Sequence, residues 1–284
     1  MSIVVTGATG QFGRLVVESL LSSGVPAASI TATGREIARI ENLAAAGVRV
    51  ARADFADSAS LVAAFTGADR LLLVSGSEMG LRASQHRAAI DAAKEAGVGF
   101  VAYTSILKAD TSTLALAQEH RETEQYLAES GLDYAILRNG WYLENYTGQV
   151  QTYLAVGVAG AAGDGRVSAA SRKDLADAAA AVLTSDVPSG TIFELGGESF
   201  TLSQLAAELS KASGREIGYT NLSEAAYADV LVGAGLPEAY AKVLADSDRG
   251  LSIGDLETDA APLATLIGRT PTSMPEAIAA SLAA

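Results

Sequence analysis

Short apolar runs recur along the first half of the chain, each followed by a stretch whose apolar positions fall three or four apart. The runs are Ile3–Thr6, Ile30–Thr33, Val48–Ala53, Arg70–Ser75, Gly99–Ser105 and Tyr134–Arg138. The stretches between them are Gln11–Leu21, Glu36–Ala46, Ser58–Phe65, Leu81–Ala96 and Leu114–Ser130. A short apolar run without alternation predicts a strand covered on both faces, and the wider spacing predicts a helix with one apolar face. Gly47, Gly67, Gly97 and Gly131 each follow a helical stretch, where a left-handed residue ends a helix. This alternation predicts an α/β fold, a doubly wound parallel sheet with helices on both faces. Right-handed crossovers then put the ligand crevice at the C-terminal ends of the strands.

After Arg138 the rhythm loosens. Residues 139–165 are rich in Gly, Tyr and Ala; Arg172-Lys173-Asp174 then opens a helical run, Leu175–Thr184, and Thr191–Leu195 predicts a strand returning to the sheet. Beyond Gly197 the pattern is mainly helical: Leu202–Ala212, Glu224–Val232, Glu238–Ala245, Leu263–Ile267 and Pro275–Ala283. The expected organisation is a sheet domain from residues 1–138 and 166–197. A smaller, mainly helical lobe from 139–165 and 198–284 is expected to share the cleft.

The first run leads into Gly7-Ala8-Thr9-Gly10-Gln11-Phe12-Gly13 and then an amphipathic helix. Strand, glycine turn and helix in that order bring backbone N–H groups and a helix N-terminus to one point, which suits a pyrophosphate. The context identifies a dinucleotide-binding Rossmann motif rather than an ordinary glycine-rich turn.

Composition narrows the class. The chain has 284 residues, 49% hydrophobic, enough for a sizeable core. Runs such as Leu71–Val74 are too short to span a membrane. No positively charged segment followed by an apolar one opens the chain, so no secretory signal is expected. Cysteine is absent, which removes disulfides and thiolate chemistry, and two His make a metal site unexpected. A net charge of −13 disfavours nucleic acid as a partner. The expectation is a cytoplasmic protein without membrane or nucleic-acid partners.

The residues after each strand carry the candidate chemistry. Thr33-Gly34-Arg35-Glu36 ends the second strand, where a nucleotide's ribose is read. Arg35 can pair with a 2′-phosphate, which favours NADPH, whereas Glu36 could serve a ribose. Asp54 and Phe55 end the third strand; they can bracket an adenine, or cap a turn and fill the core. Ser75, Gly76 and Ser77 form a small-residue loop that lets backbone approach a cofactor. Tyr103-Thr104-Ser105 ends the fifth strand. In short-chain dehydrogenases a Ser there polarises the substrate carbonyl, helped by a Tyr-x-x-x-Lys on the next helix. With Glu124 setting the register, the Tyr and Lys positions hold Leu116 and His120. The proton donor of alcohol and ketone chemistry is missing. His120 can still bond the nicotinamide ribose or the acceptor. The missing pair favours an acceptor that needs alignment more than acid help, such as a quinone.

With TGATGQFG, AYTSILKADTSTLALAQEH, RNGWYLENY, GAAGDGRVSAASR, NLSEAAY and LADSD in hand, nearly the whole chain resembles the NmrA-like atypical short-chain dehydrogenase/reductases, and among them the bacterial type 2 NAD(P)H:quinone oxidoreductases. The resemblance implies flavin-free, two-electron reduction of quinones by NADPH, without metal. It implies cofactor contacts at Gly7, Ala8, Thr9, Gly10, Gln11 and Phe12, with Gly13 beneath them, and at Arg35, Ser75, Gly76 and Ser77. Further contacts are implied at Asn139, Gly140, Trp141, Tyr142, Leu143, Glu144 and Arg172, with Asp54 kept from the strand-end reading. Tyr103, His120 and Asn139 are the candidates for positioning nicotinamide or acceptor. Two other readings stand beside it: a non-catalytic NADP-sensing regulator, and a reductase of other conjugated electrophiles such as triphenylmethane dyes or enones. The pattern leaves room for a homodimer.

Overall fold

The computed structural model describes residues 1–283. In chain order its elements are β1 (Ile3–Val5), α1 (Gln11–Ser22), β2 (Ile30–Gly34), α2 (Glu41–Ala45), β3 (Arg49–Arg52), α3 (Ser58–Phe65), β4 (Arg70–Leu73), α4 (Arg82–Glu95), β5 (Phe100–Ile106), α5 (Ala115–Glu129) and β6 (Asp133–Asn139). There follow α6 (Glu144–Thr147), α7 (Val150–Val156), β7 (Val158–Gly160), β8 (Arg166–Val167), α8 (Arg172–Thr184), β9 (Thr191–Leu195), β10 (Phe200–Thr201) and α9 (Leu202–Ser213). The last elements are β11 (Tyr219–Asn221), α10 (Glu224–Gly233), α11 (Glu238–Ser252), α12 (Ala261–Ile267) and α13 (Met274–Ala283).

The chain divides into two compact units. The first comprises Met1–Ile106, Glu119–Arg138 and Arg172–Phe193; the second comprises Leu107–Gln118, Asn139–Ser171 and the chain from Glu194 on. This differs from the expected boundaries: residues 107–118, 166–171 and 194–197 fall in the second unit. Residue 284, where the expected lobe ends, lies outside the described residues.

The first unit carries a seven-stranded sheet of order β3-β2-β1-β4-β5-β6-β9. The pairs from β3 to β5 run parallel, with Val4 opposite Thr31 on one side and Leu71 on the other. Order reverses at β1, so the crevice of a doubly wound sheet opens between β1 and β4. All seven residues of β5 are buried, as a central strand covered on both faces demands. On one face α1 packs against α8, burying Phe12, Val16, Val17 and Leu20 at helical spacing. On the other, Leu61, Phe65, Ile90 and Leu127 close over Val4, Leu71, Val101 and Tyr103. Gly47, Gly67, Gly97 and Gly131 take positive φ after their helices, as expected.

The segment Glu36–Ala46, expected as one helix, is instead a 3-10 turn over Ile37–Ile40 followed by α2. Its apolar residues, Ile37, Ile40 and Leu43, recur every third position, which suits three residues per turn. Helix α11 runs past the expected stop at Ala245 to Ser252. In the second unit β8 pairs with β10 and β7 with β11, short strands the helical expectation did not include. Helix α9 starts at a capping box formed by Thr201 and Gln204.

A buried ion pair ties three elements of the first unit together. Arg138 of β6 donates to both carboxylate oxygens of Glu124 on α5, at 3.0 and 2.7 Å. Ser105 of β5 donates to the same carboxylate at 2.5 Å. The side chains of Arg138 and Glu124 are only 6% and 9% exposed, so removing one partner strands a buried charge. Glu124→Ala should cost about 3–5 kcal/mol, and Glu124→Leu with Arg138→Met should recover most of it. Urea unfolding checks this; a Glu124→Ala midpoint equal to the parent's would refute it.

Candidate functional site

The turn after β1 is built on close approach. Gly7 adopts φ +63°, and its carbonyl accepts the N–H of Gly10 at 2.9 Å. A Cβ on Gly13 would lie 2.6 Å from that carbonyl oxygen, so only glycine lets the helix seat against the turn. The turn is anchored below: Ala8 N–H donates to Thr33 O at 2.8 Å, and the Thr6 hydroxyl links Leu72 O with Val74 N–H. Gly10 caps α1 without a side chain, and no acid stands in the first turn. No side chain caps the first turn of α1, and the helix end carries a positive field that favours an anion.

Neighbouring strand ends surround this turn. Gly34 passes so close to Thr9 that a Cβ there would meet the Thr9 side chain at 2.5 Å. Arg35 follows at once and pairs with Glu78 at 2.9 Å, while Glu36 lies 3.9 Å from Arg39. Asp54 accepts the Ala56 N–H at 3.1 Å and stands 4.0 Å from Arg52. That is the turn-capping arrangement; Phe55 meets the His86 ring edge-on at 6.0 Å. Ser75 N–H donates to the Thr104 hydroxyl at 2.8 Å. Gly76 donates its N–H to His86 Nε2 at 3.0 Å, and its carbonyl accepts Arg82 Nε at 2.8 Å. Gly7–Gly13, Arg35, Asp54 and Ser75–Ser77 thus gather at one edge of the first unit. Arg172 opens α8 in the same unit.

Behind the Ser75–Ser77 loop lies a buried polar network that sequence reasoning did not assemble. The backbone N–H of Gly76 must donate, so His86 accepts on Nε2 and presents Nδ1–H to the Thr123 hydroxyl 3.0 Å away. Thr123 donates onward to Glu119 O at 2.8 Å. Burial, then the charge of Arg82, pushes His86 down to about 3, so it stays neutral. Tyr103 is fully buried, and its hydroxyl lies 2.7 Å from His120 Nδ1. Burial raises the Tyr103 phenol and holds His120 well below the usual imidazole range. Neither has a charged form at neutral pH. Tyr103 packs into the apolar core with its hydroxyl turned toward His120 and Thr123. His86, four residues from Arg82, was the missed member; its helical spacing from Arg82 was the available signal.

Ser105 holds the place of the carbonyl-polarising Ser, yet it is buried and donates to Glu124. Its hydroxyl proton is already committed to a carboxylate that also holds Arg138.

In the second unit, residues Trp141–Leu143 run beside Ala170: Ala170 N–H donates to Trp141 O and Leu143 N–H to Ala170 O. Gly140 is packed so tightly that a Cβ would meet Ser168 O at 2.5 Å. Glu144 opens α6, and Leu143 is buried. The Asn139 side chain is buried with Oδ1 unpartnered, an acceptor awaiting a donor. Asp248 is half-buried, accepting the Ala161 N–H at 2.8 Å near Tyr146, Tyr153 and Tyr227. Burial raises it to about 6, against the pull of that hydrogen bond.

Taken alone, the first unit offers what a dinucleotide needs: a glycine cradle that a Cβ would fill, a helix N-terminus without a side-chain cap and an arginine one strand away. Among the described residues, no group of three or more His, Cys, Asp or Glu is arranged to hold a metal ion, and no helix is long and apolar enough to cross a membrane. A family model described as NAD(P)H-binding matches residues 7–186. The chain is 51% identical over 278 residues to quinone oxidoreductase 2 of Escherichia coli (strain K12), covering 97% of both. A crystal structure of the NADPH-dependent quinone oxidoreductase from Escherichia coli, complexed with NADPH, superposes with a TM-score of 0.95 at 50% identity, over 99% of each chain. Triphenylmethane reductase from Citrobacter sp., complexed with NADP(H), gives 0.94 at 34% identity, over 99% of this chain and 100% of that one. The chain belongs to the NAD(P)H-binding family, among the NmrA-like atypical short-chain reductases that include quinone oxidoreductase 2.

The raised Asp248 has a pH signature. A carboxyl titrating near 6 when folded and near 4 when unfolded binds more protons in the native state between those values. Its contribution to stability is therefore lost as pH rises through that window. An asparagine in its place can still accept the Ala161 N–H but carries no proton to lose. Relative to wild type, Asp248→Asn should gain about 2–3 kcal/mol between pH 4 and pH 7. Parallel stability–pH curves for the two proteins would refute a raised Asp248.

Proposed function

We propose that the protein reduces quinones by direct two-electron hydride transfer from NADPH, without flavin or metal. The observation that carries this reading is the pairing of a complete dinucleotide cradle with a shut carbonyl-activating site: Ser105 is bound to Glu124, and Leu116 and His120 replace the Tyr and Lys. Bound NADPH supplies the hydride, and one further proton from solvent completes a hydroquinone.

The chain's own residues bind and align. The turn from Gly7 to Phe12 and the field of the helix end hold the pyrophosphate, with Gly13 giving the helix room beneath it, and Arg35 takes the 2′-phosphate. Ser75, Gly76 and Ser77 border the ribose, held in place by Thr104, His86 and Arg82. Asp54 acts by capping its turn at the adenine end. The family resemblance assigns Asn139, whose Oδ1 is open, and Gly140, Trp141, Tyr142, Leu143 and Glu144 to the nicotinamide, and Arg172 to cofactor binding. His120 orients the nicotinamide ribose, and Tyr103 acts through it as a positioning residue.

Aligning donor and acceptor suffices for a quinone, whose reduced oxygens gain aromatic stabilisation and take protons readily. The likeness to a quinone oxidoreductase at 51% identity over nearly the full length supports the same substrate class. Reduction of triphenylmethane dyes is the second reading, favoured by the 0.94 superposition on the dye reductase.

Steady-state assays with NADPH and NADH against benzoquinones, naphthoquinones, triphenylmethane dyes and enones test this directly. Quinones should give the highest kcat/KM with NADPH, with no flavin absorbance in the purified protein. No NADPH consumption with any acceptor would leave the nucleotide-sensor reading instead. Arg35→Ala should raise the KM for NADPH about tenfold or more while moving that for NADH less than about twofold, the loss of a charge-assisted phosphate contact. An unchanged NADPH preference would remove Arg35 from the phosphate.

A further inference from the structure

Arg35 leaves the end of β2, and Glu78 lies in the loop after β4. Both strands pair with β1, one on each side. Two strand spacings, about 10 Å, therefore separate them. Their side chains nevertheless meet, Arg35 Nη1 donating to Glu78 Oε1 at 2.9 Å. The pair spans the mouth of β1, directly above the strand end where the glycine turn begins. Glu78 is not a drifting surface acid. Its second oxygen accepts Gln85 Nε2 at 2.9 Å, tying it to α4. The loop that carries it is pinned on both sides, at Gly76 by His86 and Arg82 and at Gly80 by Glu119.

We propose that Glu78 is a cofactor-discriminating residue: its carboxylate holds the Arg35 guanidinium in the place that the 2′-phosphate of NADPH takes, and must release it when that cofactor binds. This rests on the assignment of Arg35 to the phosphate made above. A guanidinium receives a carboxylate and a phosphate through the same N–H fork, so the two anions compete for one partner. A carboxylate left beside the phosphate repels it, so Glu78 withdraws, keeping Gln85 as its partner. A cofactor without the phosphate makes no claim on Arg35 and leaves the pair intact. Glu78 therefore weakens NADPH binding and spares NADH. The side chains are 65% and 40% exposed, so water and salt screen the pair and keep the effect to about two- to fivefold.

Glu78→Gln removes the charge and keeps a side chain that can bond Gln85. Dissociation constants for NADP+ and NAD+ are measured by calorimetry for wild type, Glu78→Gln, Arg35→Ala and the double variant. Glu78→Gln should bind NADP+ about two- to fivefold more tightly than wild type, with NAD+ unchanged. The gain should vanish in the Arg35→Ala background. Equal or weaker NADP+ binding, tightening of both cofactors alike, or a gain that survives Arg35→Ala overturns the proposal. A silent Glu78→Gln beside a normal loss in Arg35→Ala sinks only the role of Glu78. If Arg35→Ala leaves the NADP+ to NAD+ ratio unchanged, the phosphate assignment falls and takes this proposal with it.

Discussion

Between the carbonyl of Gly7 and the backbone of Gly13 there is no room for a methyl group, and the first unit is arranged around that contact. It lets α1 start directly over the end of β1, with no side chain capping its first turn. From there the sheet order places β2 on one side and β4 on the other. The same crowding recurs at Gly34 against Thr9, which brings the chain carrying Arg35 up to the turn.

The β4 loop shows a different solution to holding backbone in place. Gly76 has no strand partner beyond β4, so its two peptide groups need partners from elsewhere. His86 and Arg82, one helical turn apart on α4, supply one each. Burying a histidine is favourable here because it stays neutral and both ring nitrogens are bonded. The loop thereby becomes part of α4 rather than a free connection, and Glu78 inherits that rigidity.

Much of this was legible in the sequence. Alternating apolar runs carried the sheet and its helices, and the glycines after the helices carried their ends, because each follows from local steric rules. What was not legible depended on partners far away in the chain. Helix α11 was expected to stop at Ala245, just before Asp246, Ser247, Asp248 and Arg249. In the structure Ser247 is buried and Asp248 accepts a backbone N–H from Ala161, so these polar residues face inward. The short strands β7, β8, β10 and β11 carry only two or three residues each, too few to show a period. At the site, Arg35 could be singled out by position, but Glu78 stands in an ordinary loop, and only the pairing of β1 with both β2 and β4 brings the two together.

The most consequential rearrangement concerns Ser105. By position it is the residue that would polarise a carbonyl, but its neighbours decide otherwise. A hydroxyl beside a buried Arg138–Glu124 pair finds a charged acceptor at 2.5 Å, and charge-assisted bonds of that kind outweigh one to a neutral carbonyl. Freeing Ser105 would take away one of the two donors to Glu124 Oε1 in a buried site, leaving Arg138 Nε alone there. The serine that opens carbonyl chemistry in other short-chain reductases is thus part of the scaffold here. Chemistry at this edge of the sheet must draw on acceptors that carry their own driving force, and the fold contributes alignment.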